Sequence, residues 1–86
     1  MEGKTKSGFC FAIPDERLDN MELIDALGEL EENPLMMGKI CTMLLGSDQK
    51  KALYNHVRTK SGIVPASSVE KELAEIFNFH GETAKN

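Results

Sequence analysis

The 86-residue sequence has no tryptophan, one tyrosine (Tyr54), four phenylalanines, three prolines and two cysteines. With so few aromatic rings, Leu, Ile, Met and the four Phe must supply most of the packing. Cys10 and Cys41 lie 31 positions apart, too few and too distant for the bridge-dense scaffold of a small secreted domain, so they read as two reduced thiols. No apolar run approaches the roughly 18–20 residues of a membrane span. Met1 to Ser7 has no apolar stretch behind its lysines, and no secretory signal is expected there. Excess positive charge is missing as well: the net charge of −4 argues against a general affinity for DNA, RNA or anionic lipid. His56 and His80 share no metal-ligand spacing with the cysteines, and neither Cys-x-x-Cys nor His-Glu-x-x-His occurs. Gly-x-Ser-x-Gly and phosphate-cradling glycine loops are equally absent. The expectation is a cytoplasmic protein that is not an enzyme and has no catalytic, cofactor-binding or metal-binding residues.

What is present suits a folded chain: 41% of residues are hydrophobic and 28% charged, the balance of a globular protein rather than a disordered one. Residues 1–86 read as one small domain, with 1–7 and 80–86 as flexible ends. A chain of this size buries only ~60–65% of its unfolded surface, so self-association would help it, and a homodimer or higher oligomer is left open. Charge is unevenly spread. Asp15 to Glu32 carries eight acids and one base, Arg17, whereas Lys39 to Lys60 carries five bases against Asp48. Two solvated helix faces of opposite sign, or two surfaces facing one another, would both account for this.

Phe9-Cys10-Phe11-Ala12-Ile13 alternates large and small apolar groups, the pattern of a strand with Phe9, Phe11 and Ile13 on one buried face. Ser7-Gly8 signals a turn, with Lys4–Lys6 as the first arm of a hairpin, and Pro14 closes the strand. Gly62-Ile63-Val64 is the other candidate strand. The remainder reads as helices. Asp19 or Asn20 caps the first, with Leu23, Ile24, Leu27 and Leu30 inward, and Asp19 with Glu22 has capping-box spacing. Asn33-Pro34 opens the second, carrying Leu35, Met36, Ile40, Met43 and Leu44. Gly46 ends it as an αL cap, and Ser47 starts a third helix that runs to about Lys60 and buries Leu53, Val57 and Tyr54. The fourth follows Pro65 with Ser67 and Glu70 as a capping box, and has the cleanest stripe, Val69, Leu73, Ile76 and Phe77. The predicted fold is mainly α, about four short helices with an N-terminal β-hairpin or single strand.

Two groups of side chains are candidates for contact with a partner. Methionine is over-used where a surface must repack around varied partners. Met36 also fits the core, but Met37 lies off the Leu35–Ile40–Leu44 stripe, and Phe79 lies beyond the last helical stripe, so Met37, Met36 and Phe79 form the candidate protein-binding set. Alternatively, Leu45-Gly46-Ser47 followed by Lys50, Lys51 and Arg58 has the form of a helix-turn-helix recognition helix. The acidic neighbouring helix opposes that reading, and a polar outer face explains the same residues.

The order of these motifs resembles a known family. Gly8-Phe9-x-Phe11-x-Ile13-Pro14, then Leu18-Asp19-Asn20-Met21-Glu22-Leu23, then Asn33-Pro34-Leu35 is similar to the small tail assembly chaperones of long-tailed phages and prophages of Gram-positive bacteria. The continuation agrees: Leu44-Leu45-Gly46-x-x-Gln49-Lys50-Lys51-x-Leu53-Tyr54, His56-x-Arg58 and Gly62-x-Val64-Pro65 before a final amphipathic helix. The likeness spans about residues 8–79 and rests on order and spacing, since each piece is a cap, a turn or an apolar pattern. It implies a protein that coats the long, apolar, helical tape-measure protein until tail-tube subunits polymerise around it, then leaves. The implied partners are the tape-measure protein and a frameshifted longer form of the chain itself, in the host bacterial cytoplasm, with no copy in the mature virion. The resemblance assigns no site residue. The rival readings are a small helix-turn-helix DNA-binding regulator and a structural adaptor of the virion.

Overall fold

The computed structural model describes residues 1–85, with side chains described as far as Phe79. Two short strands, β1 (Glu2–Lys4) and β2 (Cys10–Ala12), precede four helices: α1 (Asp15–Leu18), α2 (Met21–Glu29), α3 (Met36–Val57) and α4 (Ala66–Lys85). The chain is mainly α with an N-terminal antiparallel hairpin, the fold class expected from the sequence.

The strands pair Glu2 with Ala12, Gly3 with Phe11 and Lys4 with Cys10. Met1 and Thr5 extend the ladder at its two ends, Met1 exchanging hydrogen bonds with Ile13 and the Thr5 N–H donating to the Phe9 carbonyl at 2.9 Å. Lys6, Ser7 and Gly8 make a three-residue loop, and Gly8 takes the positive φ of 99° that closes such loops. The period-2 alternation is realised: Phe9, Phe11 and Ile13 are buried while Cys10 and Ala12 face out. The first arm is Glu2–Lys4 rather than Lys4–Lys6, and residues 1–7, expected to be a flexible end, instead hold β1 and the buried Thr5. The alternating signal lies in β2 alone, so β1 is recruited by pairing. Gly3 permits a further contact. A Cβ there would lie 2.8 Å from both the Phe11 and the Phe79 ring, and without it the rings meet edge to face at 5.6 Å.

Pro14 then starts α1, a single turn that the sequence reading lacks because four residues show no period. Asp19 ends α1, so the Asp19–Glu22 capping box does not form. Asn20 caps α2 instead, its side chain accepting from the Glu22 N–H at 3.0 Å. Leu23 and Ala26 are buried, and Leu27 and Leu30 half-buried. Ile24, expected inward, is 53% exposed. It sits about 100° around the helix from Leu23, and Ala26 takes the inward position.

The second and third expected helices are the halves of α3, 36–45 and 47–57, separated by Gly46 at φ 79°, ψ 166°. The positive φ agrees with the expected role of this glycine, but the ψ lies outside the αL region, in a zone essentially confined to Gly. Leu35, placed on the apolar side of this helix by the sequence, precedes it and is 88% exposed. Ile40, Cys41, Leu44, Leu45 and Leu53 make α3 the centre of the core. Gln49 joins the break to the hairpin. Its Nε2 donates to the carbonyls of Leu45 at 2.8 Å and Ala12 at 2.7 Å, and its Oε1 accepts from the Ala12 N–H at 2.7 Å. One amide thus stands in for a neighbouring strand at Ala12.

α3 ends at Val57, before Lys60, because Arg58 turns extended with ψ 134°. Gly62–Val64, expected as a strand, is a loop: Thr59 and Ile63 bond across it at 2.8 Å, Gly62 donates to Thr59, and the Arg58 guanidinium donates to the Gly62 carbonyl. These backbone groups are thereby unavailable to a sheet. In α4, Val69, Leu73 and Ile76 are buried and Phe77 half-buried, as the stripe predicts. Its first N–H bonds go to the Pro65 carbonyl, so Ser67 lies inside the helix and is not its cap. The flexible end expected over 80–86 falls on residues whose side chains lie outside the description, residue 86 entirely. Both cysteines are free, Cys10 exposed and Cys41 buried. Among the described residues, no helix is long and apolar enough to cross a membrane.

Candidate functional site

Two concave regions stand out, one polar and one apolar. The polar one gathers around the hairpin loop. Glu72, on α4 and 4% exposed, accepts through Oε1 from the hydroxyls of Thr5 at 2.7 Å and Ser7 at 2.9 Å. Glu75 accepts from the Lys6 N–H at 2.9 Å. The Ser7 hydroxyl also lies 2.9 Å from His56 Nε2. Ser, His and Glu are therefore neighbours, but not in the order that activates a serine. A nucleophile's imidazole must accept the hydroxyl proton while a carboxylate holds its far nitrogen. Here the carboxylate takes the hydroxyl proton directly. The arrangement clamps the hairpin loop onto α3 and α4, with the His56 ring 5.8 Å from Phe9 completing the joint.

The apolar region is a groove between the α2–α3 connection and α4. One lobe, of about 450 Å³, is walled by Leu27, Leu30, Pro34, Met37, Leu73, Ala74 and Phe77, with Glu31 and Glu70 also lining it. A second lobe, of about 230 Å³, lies between Pro34, Met37, Gly38, Tyr54, Val64, Ala66 and Val69. Pro34 and Met37 belong to both lobes. The helical period builds this surface: Glu70, Leu73, Ala74 and Phe77 are spaced i, i+3, i+4, i+7 along α4 and share one face. Pro34 and the Asn33 side chain, which accepts from the Leu35 N–H at 3.3 Å, turn the chain into α3 and set Met37 on the ridge.

The candidate residues distribute accordingly. Met37 is half-buried at the centre of the groove, and Met36 is half-buried against the core without lining either lobe. Phe79 is not an exposed anchor beside them. It is half-buried against Phe11, over the hairpin. Of the basic set, Lys50 donates to the Thr42 hydroxyl at 3.0 Å and lies over the Tyr54 ring at 5.7 Å. Arg58 is held by Asn55 and the Gly62 carbonyl, and Lys51 is exposed. Two of these three cations are thus engaged within the chain. Leu27, Leu30, Leu73 and Phe77 read as core in the sequence, because periodicity gives a helix's apolar face but not where a neighbour stops covering it.

Burial pushes the Cys41 thiol above its ordinary pKa, with Lys50 pulling weakly the other way. The Tyr54 hydroxyl is raised by desolvation and by proximity to Cys41. Both are therefore neutral near pH 7. Among the described residues, no group of three or more His, Cys, Asp or Glu side chains is placed to hold a metal ion. No protein-family model, curated protein or solved structure matches the chain.

Proposed function

We propose that this chain is a binding protein for apolar helical segments, acting as a tail assembly chaperone on a tape-measure protein. The observation that carries the reading is the two-lobed apolar groove with Met37 on its shared ridge. A concave, methionine-bearing apolar surface suits the capture of amphipathic helices of varied sequence, since an unbranched thioether repacks at little cost. Many copies spaced along one long partner would hold it by multivalent contact, each copy binding weakly. The order of motifs from Gly8 to Phe79 points the same way.

Co-expression with a tagged tape-measure protein from the same genome tests this. The expected result is a large protein that stays soluble only when the 86-residue chain is present, with the untagged chain retained beside it. Purified virions should lack the chain. A tape-measure protein that is soluble alone and retains nothing would overturn the proposal, and finding the chain in particles would favour a structural adaptor instead.

A further inference from the structure

We infer that the groove selects its occupant by charge, taking a helix whose apolar ridge is flanked by lysine or arginine. The inference rests on the binding reading above and adds the chemistry of the partner. The groove carries carboxylates on opposite walls, Glu31 beside α2 and Glu70 on α4. Glu22, Asp25, Glu29 and Glu32, on α2 and just after it, are exposed as well. Among the described residues, the one ion pair formed by the Asp15–Glu32 acids is that of Asp15 with the Met1 ammonium at 3.6 Å. The five bases of Lys39–Lys60 thus neutralise none of these carboxylates by direct pairing. The larger lobe, lined by two carboxylates and no base, favours a ligand of positive charge and repels an equally apolar helix with acidic flanks. Basic side chains on either side of a Leu-type ridge at i, i+3, i+4, i+7 would reach Glu31 on one wall and Glu70 on the other while the ridge fills the two lobes.

Two synthetic 18-residue amphipathic helices test this, one with leucines flanked by lysines and the other with glutamates in place of the lysines. Binding would be followed by calorimetry and by amide shift mapping on the whole chain. The lysine peptide should bind at least tenfold tighter than the glutamate peptide, and its shifts should centre on Met37, Leu73 and Phe77. Ala74 is exposed on the groove wall, so Ala74→Gln fills the groove without altering the core or the net charge. It should weaken binding about tenfold with an unchanged melting temperature. The pair Glu31→Lys and Glu70→Lys should reverse the preference between the peptides, whereas Lys51→Glu should not. Equal affinity for both peptides, or shifts centred elsewhere, would overturn the inference. So would light scattering that returns a dimer which Ala74→Gln converts to single chains, because a second copy would then fill the groove. If the Ala74→Gln chain still keeps the tape-measure protein soluble, the groove assignment fails while the chaperone reading stands. If the wild-type chain does not keep it soluble, that reading fails on its own.

Discussion

Glu72 joins the last helix to two hydroxyls of the hairpin, 65 and 67 positions away. Replacing it with alanine leaves the Thr5 and Ser7 hydroxyls without their acceptor at a site that is 4% exposed, a loss of about 1–3 kcal/mol. Glu72→Gln retains an acceptor oxygen and should cost less. Urea unfolding of the two variants measures the difference, and equal losses would show that the charge matters and the acceptor does not. The cysteines give a second test at this scale. An aromatic disulfide reagent should label exposed Cys10 quickly and buried Cys41 only on unfolding. Because Cys41 and Tyr54 both have raised values in the folded chain, the unfolded chain loses those protons first. Stability is therefore full below about pH 9 and falls as pH rises beyond it. A melting temperature unchanged from pH 8 to pH 10.5 would contradict the burial of Cys41. None of these partners could be read from the sequence. Ser7 read only as part of a turn, Thr5 as part of a hairpin arm and His56 as lacking a metal-ligand spacing, and only the packing of the hairpin against α3 and α4 brings these groups to Glu72 and to one another.

At the scale of elements, the break in α3 is the feature most exposed to test. Gly46 occupies a backbone region that L side chains rarely adopt, and a Cβ there would meet the Arg17 guanidinium at 2.8 Å. Arg17 is long enough to move aside, so the backbone carries most of the penalty. Gly46→Ala should cost about 1–3 kcal/mol, lowering the melting temperature by several degrees, and Arg17→Ala should not relieve it. Full rescue by Arg17→Ala would place the cost in the contact instead. Elements with a strong period were legible: the β2 alternation, the Val69–Phe77 stripe and the Leu23, Leu27 and Leu30 side of α2, though not Ile24, appear where the sequence puts them. The helix break at Gly46 was legible too, from its glycine. The failures fall where a period is too short to register, as in α1, or where hydrogen bonding outweighs composition. Ile63 and Val64 have strand-forming side chains, yet the Arg58–Gly62 and Thr59–Ile63 bonds close that segment into a loop.

For the whole molecule, the hairpin depends on the far end of the fold. A chain shortened before Ala66 loses Val69, Leu73 and Ile76 from the core, together with both carboxylates that hold the loop. It should show no cooperative thermal transition, and its Glu2–Ala12 amides should exchange as in an unfolded chain. Protected amides in that segment would mean that α3 alone supports the hairpin. The same dependence explains why the groove was not visible in the sequence. Its walls come from α4 and from a segment some forty positions earlier, and no local pattern records how they meet.

The contacts of Glu72 and Glu75 with the hairpin span 65 to 69 positions, which orders events in time. The strand pair is synthesised first and secured last. At ribosomal speeds of about 5–20 residues per second, roughly 3–13 seconds separate the two moments. Throughout that interval Phe11 lacks the Phe79 ring and the β1 edge has no neighbouring strand, on nascent chains that neighbour one another on a single message. Lys4 and Lys6, whose side chains form no ion pair among the described residues, place positive charge along that edge when it is most able to pair with its own kind.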